Sequence, residues 1–201
     1  LQVPIDKYWG AQTQRSIKNF AIGHEKQPYP LIMAMIVIKQ AAAKVNMSEG
    51  KLDKKLGNAI IKACKKLRSG GYENNFPLSV WQTGSGTQTN MNVNEVITNR
   101  AHILEGKILE NETKTLSPND DVNKSQSSND TFPTAMHIAT YLKVAQHTNP
   151  NIQVLRDTLH AKATAFDRVV ALEPTRREIH LSRARCAFAL KQCEVMEAAF
   201  K

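Results

Sequence analysis

Apolar positions recur along most of this chain at the three- and four-residue intervals of a helix, and no stretch shows convincing two-residue strand alternation. Residues 31–45 are apolar on nearly every side (Leu31 through Ile38, then Ala41 to Ala43), the pattern of a buried helix. In 54–67, Leu56, Ala59, Ile60, Ala63, Cys64 and Leu67 share one face. Lys54, Lys55, Lys62, Lys65 and Lys66 lie elsewhere as a solvated face, and Gly70-Gly71 ends the helix. Val93, Val96, Ile97, Ala101 and Leu104 keep helical spacing up to Gly106. A further helix over 134–145 follows Pro133, which is expected in its first turn. Ile152, Leu155, Leu159, Ala163, Phe166 and Val170, spaced 3, 4, 4, 3 and 4, predict a long helix with a bundle seam. Beyond it, Leu172-Glu173-Pro174, the Arg-rich run 176–185 and an Ala/Cys-rich end predict two short helices over 171–201. Phe166, Pro174, Ala184 and Phe200 fall near tetratricopeptide-like spacing, as one imperfect unit. Residues 1–30, with Pro4, Pro28 and Pro30, read as an irregular arm, and 107–119 as charged and irregular. The expected class is all-α.

Two polar blocks interrupt this pattern. The first runs from Trp81 to Asn92 (WQTGSGTQTNMN) and the second from Ser125 to Thr131 (SQSSNDT). Each places small hydroxyls and amides, almost without charge, directly before an apolar helical pattern. Turns alone do not need so many neutral hydrogen-bonding groups in succession. Free N–H groups and the helix dipole favour an anion at such helix starts, and Gly84 and Gly86 allow close backbone approach. The pattern suits a pocket for a small, oxygen-rich anion such as a dicarboxylate, and it also suits two ordinary N-capping loops. Gly84-x-Gly86 is not the dinucleotide fingerprint, because no strand precedes it and no third glycine follows in place.

Composition narrows the classes. The 201 residues have material for one or two domains, and 41% hydrophobic with 22% charged residues is ordinary for a globular chain. Twenty-seven Lys and Arg against 18 Asp and Glu give a charge of +9. That excess is scattered, without the basic, aromatic-interleaved run of a nucleic-acid surface, so no nucleic-acid partner is expected. Cys64, Cys186 and Cys193 lack C-x-x-C spacing, and the six histidines form no H-x-x-H pattern, so no metal is expected. His137, on an amphipathic helix, is expected to be packed and hydrogen-bonded. The longest apolar run is well short of the roughly 20 residues a membrane helix needs, so no membrane partner is expected. Asp120 and Asp121 are adjacent and point apart, which disfavours acid–base pairing.

The residues Asp6-Lys7-Tyr8-Trp9-Gly10-Ala11-Gln12-Thr13, Phe76-Pro77-Leu78, the whole of 81–92, Asn94-Glu95-Val96-Ile97, Pro118-Asn119-Asp120 and 123–137 resemble the fumarase/aspartase superfamily, specifically its class II fumarate hydratases. The resemblance covers about residues 2–170. It implies an N-terminal helical domain over 1–124, the start of a central helix bundle over 125–170, and a divergent tail over 171–201. It also implies reversible hydration of fumarate to L-malate, a step of the tricarboxylic acid cycle, without metal or organic cofactor. The expected setting is a homotetramer in the mitochondrial matrix or the cytoplasm. The alternatives are an aspartate ammonia-lyase on the same scaffold and a non-catalytic helical interaction protein.

The resemblance also assigns roles. Ser85, Gly86, Thr87, Ser127, Ser128, Asn129 and Thr175 would bind the substrate's carboxylates. Ser117, Pro118, Asn119 and Asp120 would form a secondary anion site, although the family generally has His where Ser117 stands. The family's Gly-Arg-Thr-His stretch falls on Glu173-Pro174-Thr175-Arg176, keeping only Thr175. Arginine stays protonated near neutral pH and cannot replace that histidine as a base. The family's mobile serine loop has no counterpart in these residues. No catalytic base is assigned, and an incomplete, inactive portion of the enzyme is expected.

Overall fold

The structure, a computed structural model, describes residues 2–84, 86–109 and 113–199. Among them are seven α-helices, short 3-10 and π turns, and no strand, only an isolated antiparallel bridge between Lys26 and Ser79. The chain divides into two compact units, 1–139 and 140–201.

The first unit is built around α4 (Thr87–Leu104), which is buried along most of its length. Val93, Val96 and Ile97 are fully buried, and so are Asn94 and Thr89. α2 (Tyr29–Ser48) packs on α3 (Lys54–Arg68), α3 packs on α4, and α1 (Ala11–Asn19) lies against α4. Asp53 caps α3 by accepting from the amides of Lys55 and Leu56, and Gly70 and Gly71, both at positive φ, end it. The apolar face of α3 is buried or half-buried, and its five lysines are exposed as expected. Arg100 lies over the rings of Tyr8 and Tyr72, which touch each other, at 5.6 and 5.5 Å from their centroids.

At 20 residues, α2 is the one helix among those described that is long and apolar enough to cross a membrane, a length the contiguous apolar run does not reveal. It packs on α3 and carries Lys39 and Asn46 at buried positions.

α1 departs from the irregular arm expected over 1–30. Its N-cap, Gly10, has no side chain to offer. The carboxylate of Glu95, in the middle of α4, accepts from the amides of Gly10 (2.9 Å), Gln12 (2.8 Å) and Thr13 (3.0 Å) and from the Thr13 hydroxyl (2.6 Å). A distant side chain thus supplies both the acceptors and the negative charge that a helix N-terminus needs.

α5 (Ser128–Lys143) begins earlier than the periodicity predicts, so Pro133 is its sixth residue and not in its first turn. The proline lacks the N–H that would otherwise bond to the Asn129 carbonyl.

In the second unit, a π turn (Val144–Thr148) leads into α6 (Asn149–Leu172), and α7 (Arg177–Ala199) folds back along it. One helix therefore stands where two short ones are predicted. Ion pairs fix its register: Arg156 with Glu197 at 2.6 Å, and Arg183 with Asp167.

Candidate functional site

The start of α4 is built by the first polar block. Gly86, its N-cap, has φ 68°, the left-handed conformation that glycine tolerates best. A Cβ at Gly86 would lie 2.2 Å from the ring of Phe132, so the glycine also admits α5 to the end of α4. Gly86 donates its own N–H to the Thr83 carbonyl at 3.2 Å, leaving it a conformational role. Gly84 has open space around it.

With no side chain at the N-cap, Gln82 takes over. Its carbonyl oxygen accepts from the Thr89 amide and the Thr89 hydroxyl, both at 3.1 Å, while its amide nitrogen donates to the Ser79 carbonyl at 2.7 Å. The Thr83 hydroxyl donates to the Gln88 side chain at 2.7 Å.

The second block makes the start of α5. Ser125 has φ 59°, the one described non-glycine residue in the left-handed region. Ser127 caps the helix: its hydroxyl accepts from the Asn129 amide at 3.3 Å, and its carbonyl accepts from the Thr131 amide at 2.9 Å. The two blocks meet directly. The Thr87 and Ser128 hydroxyls lie 3.1 Å apart, 41 residues separated in sequence. Thr87, Ser127 and Asn129 are exposed and Ser128 is half-buried, so these groups face solvent from two helix starts.

The other expected positions lie as follows. Ser85 lies outside the described residues. Ser117 caps the π turn Pro118–Val122. Its hydroxyl donates to the Asp120 carboxylate at 2.7 Å, its amide to Asp121 at 2.7 Å, and the Asn119 amide to Asp120 at 3.3 Å. These three donors therefore already serve two carboxylates, while the Asp120 amide donates to the Ser117 hydroxyl at 3.1 Å. Thr175 is exposed in the turn between α6 and α7, in the second unit. Beside it Arg176 is ion-paired with Glu173 at 3.3 Å. His137 is exposed and not packed. No group of three or more metal-ligating side chains occurs among the described residues.

Two residues beneath the blocks escaped the sequence reading. Asn123 and Lys39 join at 2.8 Å (Lys39 Nζ to Asn123 Oδ1), and burial pushes the Lys39 amine down to about 7. The polar pair Lys39-Gln40, set between the apolar residues 31–38 and 41–43, was the available signal. Behind it, burial pushes the Cys64 thiol up to about 12.

A family model described as a lyase matches residues 1–185. The chain belongs to that family. Within it the chain is 53% identical over 175 residues to the class II fumarate hydratase of Myxococcus xanthus, covering 87% of this chain and 37% of that one. It is 54% identical over 178 residues to the mitochondrial fumarate hydratase of Rattus norvegicus, covering 87% of this chain and 34% of that one. Among solved structures, the class II fumarase of Schistosoma mansoni matches with a TM-score of 0.78 at 42% identity, over 82% of this chain and 35% of that one. A fumarate lyase:delta crystallin structure from Brucella melitensis matches with a TM-score of 0.75 at 31% identity, over 98% of this chain and 48% of that one. The chain thus spans little more than a third of the length of the curated relatives in this lyase family, and its fold is the helical fold of their structures.

Proposed function

We propose that this chain carries carboxylate-binding groups of a fumarate hydratase. The observation that supports this most is the meeting of the Thr87 and Ser128 hydroxyls at two helix starts, in a chain about half identical to fumarate hydratases. In the reaction, the oxygen and one hydrogen of water add to one alkene carbon and the other hydrogen to its neighbour, giving L-malate. In reverse, removing the proton beside a carboxylate drives negative charge onto that carboxylate's oxygens. Neutral donors already held in place stabilise this charge without reorganising.

Ser85, Gly86 and Thr87 would bind one side of the substrate, and Ser127, Ser128 and Asn129 the other. Gly86 acts through its backbone conformation. Ser117, Pro118, Asn119 and Asp120 would form a secondary anion site, in competition with the Asp120 and Asp121 carboxylates that accept from Ser117 and Asn119. None of these side chains is assigned the proton transfer; Arg176, permanently charged and paired with Glu173, cannot perform it. The net charge of +9 favours approach of a dianion. On this reading residues 1–124 form the N-terminal domain, 125–170 open a central bundle, and 171–201 diverge. The working form is a homotetramer, in the mitochondrial matrix or the cytoplasm.

Titrating fumarate into the full 201-residue chain by calorimetry tests the reading. Thr87→Val and Ser128→Ala should each weaken binding about tenfold, the ~1–2 kcal/mol of a lost hydrogen bond to a charged group. Unchanged affinity in both variants would overturn it. Ammonia release from L-aspartate would put an ammonia-lyase in its place.

A further inference from the structure

Two helices converge on one oxygen of the segment that leads into the second polar block. Asn123 Oδ1 accepts from Lys39 Nζ of α2 at 2.8 Å, and from Asn90 Nδ2 and Asn94 Nδ2 of α4 at 3.0 and 3.3 Å. The Asn123 amide nitrogen donates to the Gln126 carbonyl at 3.2 Å, and the Gln126 side chain donates to the Val122 carbonyl at 2.9 Å. Asn46, also on α2, donates to the Lys124 carbonyl at 2.9 Å. The lead-in to the second polar block is therefore pinned to α2 and to the very helix that begins at Thr87. Asn90 lies about one helical turn along α4 from Thr87, so this layer and the hydroxyls share one helix.

Lys39 is an expensive way to make such a link. It is fully buried, and it takes part in no ion pair among the described residues. An unbranched apolar side chain would fill much the same space without desolvating an ammonium group. The surroundings are equally uneconomical for stability: Asn123 Oδ1 receives three donors on two lone pairs, while the buried oxygens of Asn90 and Asn94 have no partner among the described residues. A local sacrifice of stability of this kind is expected where a group holds a functional arrangement in place.

We infer that Lys39 is a positioning residue, holding the second polar block through Asn123 so that Ser128 stays in register with Thr87 for a dicarboxylate. What the register serves rests on the proposed function; the register itself does not.

Lys39→Met separates this role from plain packing. In the full chain, amide hydrogen exchange over 123–129 should quicken about tenfold or more, while exchange in α3 stays unchanged. Fumarate affinity should fall about tenfold, and Tm should hold or rise because a buried charge has gone. Unaltered exchange at 123–129 overturns the inference, as does a drop in Tm with exchange quickened equally across α2, α3 and α4. If the wild-type chain binds no fumarate while exchange in the variant still quickens at 123–129, the dicarboxylate reading falls and the positioning role stands. Asn123→Ser, which withdraws the acceptor, should reproduce the exchange pattern and decides the matter if Lys39→Met does not fold.

Discussion

Lys39 gives the fold a pH signature of its own. Burial lowers its amine from 10.5 to about 7. Below that value the group is charged in both states, and the folded chain bears the desolvation of the charge. Between about 7 and 10.5 the unfolded chain holds a proton that the folded chain has released, so unfolding takes up a proton and rising pH favours the fold. Denaturation midpoints should therefore climb between pH 7 and 9, by at most about 1.4 kcal/mol per pH unit from this group; above pH 9 the Cys64 thiol, kept protonated by burial while the unfolded chain releases its proton, opposes the climb. The climb should flatten in Lys39→Met. A wild-type profile identical to the variant's would show that the buried amine does not titrate as its surroundings demand.

Among the elements, α1 depends most heavily on one distant side chain. Replacing Glu95 by Ala removes the acceptor from three amides and a hydroxyl, so a loss of roughly 2–4 kcal/mol is expected, with the helical signal of 11–19 lost first. Urea titration of the variant, with exchange read over those residues, checks both the size and the place of the loss. The same residue explains why α1 was not legible in the sequence. A nine-residue segment with a glycine N-cap has no local start signal, and its cap lies more than 80 residues away. α3, α4 and α6 were legible because apolar residues recur in each at helical spacing, and α2 because it is long and apolar on nearly every side. α7 was not read as one helix because its apolar positions are interrupted by arginines, which the structure turns to use: Arg183 pairs with Asp167 of α6. The polar blocks were visible as composition. That Thr87 and Ser128 would touch was not, since the contact depends on the approach of Phe132 to Gly86, a tertiary event. Lys39 was hidden by its own neighbours, whose apolar character made the helix look uniform.

At the scale of the whole molecule, exposed apolar side chains in the second unit bear on assembly. Leu181, Phe188 and Val195, seven residues apart on α7, are 54%, 70% and 61% exposed. A heptad stripe of this kind seeks a partner helix. If the chain associates as proposed, sedimentation should find an oligomer, and Phe188→Ser with Val195→Ser should shift it toward monomer without unfolding the first unit. An oligomer insensitive to both changes would place the interface elsewhere. The reach from Gly10 to Glu95 also sets an order of assembly during synthesis. A nine-residue helix is below the ~12–15 residues that persist alone in water. Its segment leaves the ribosome long before the carboxylate that completes it. At ~5–20 residues per second, that lag is on the order of ten seconds, an interval in which α1 waits, unformed, for the middle of α4 to be made.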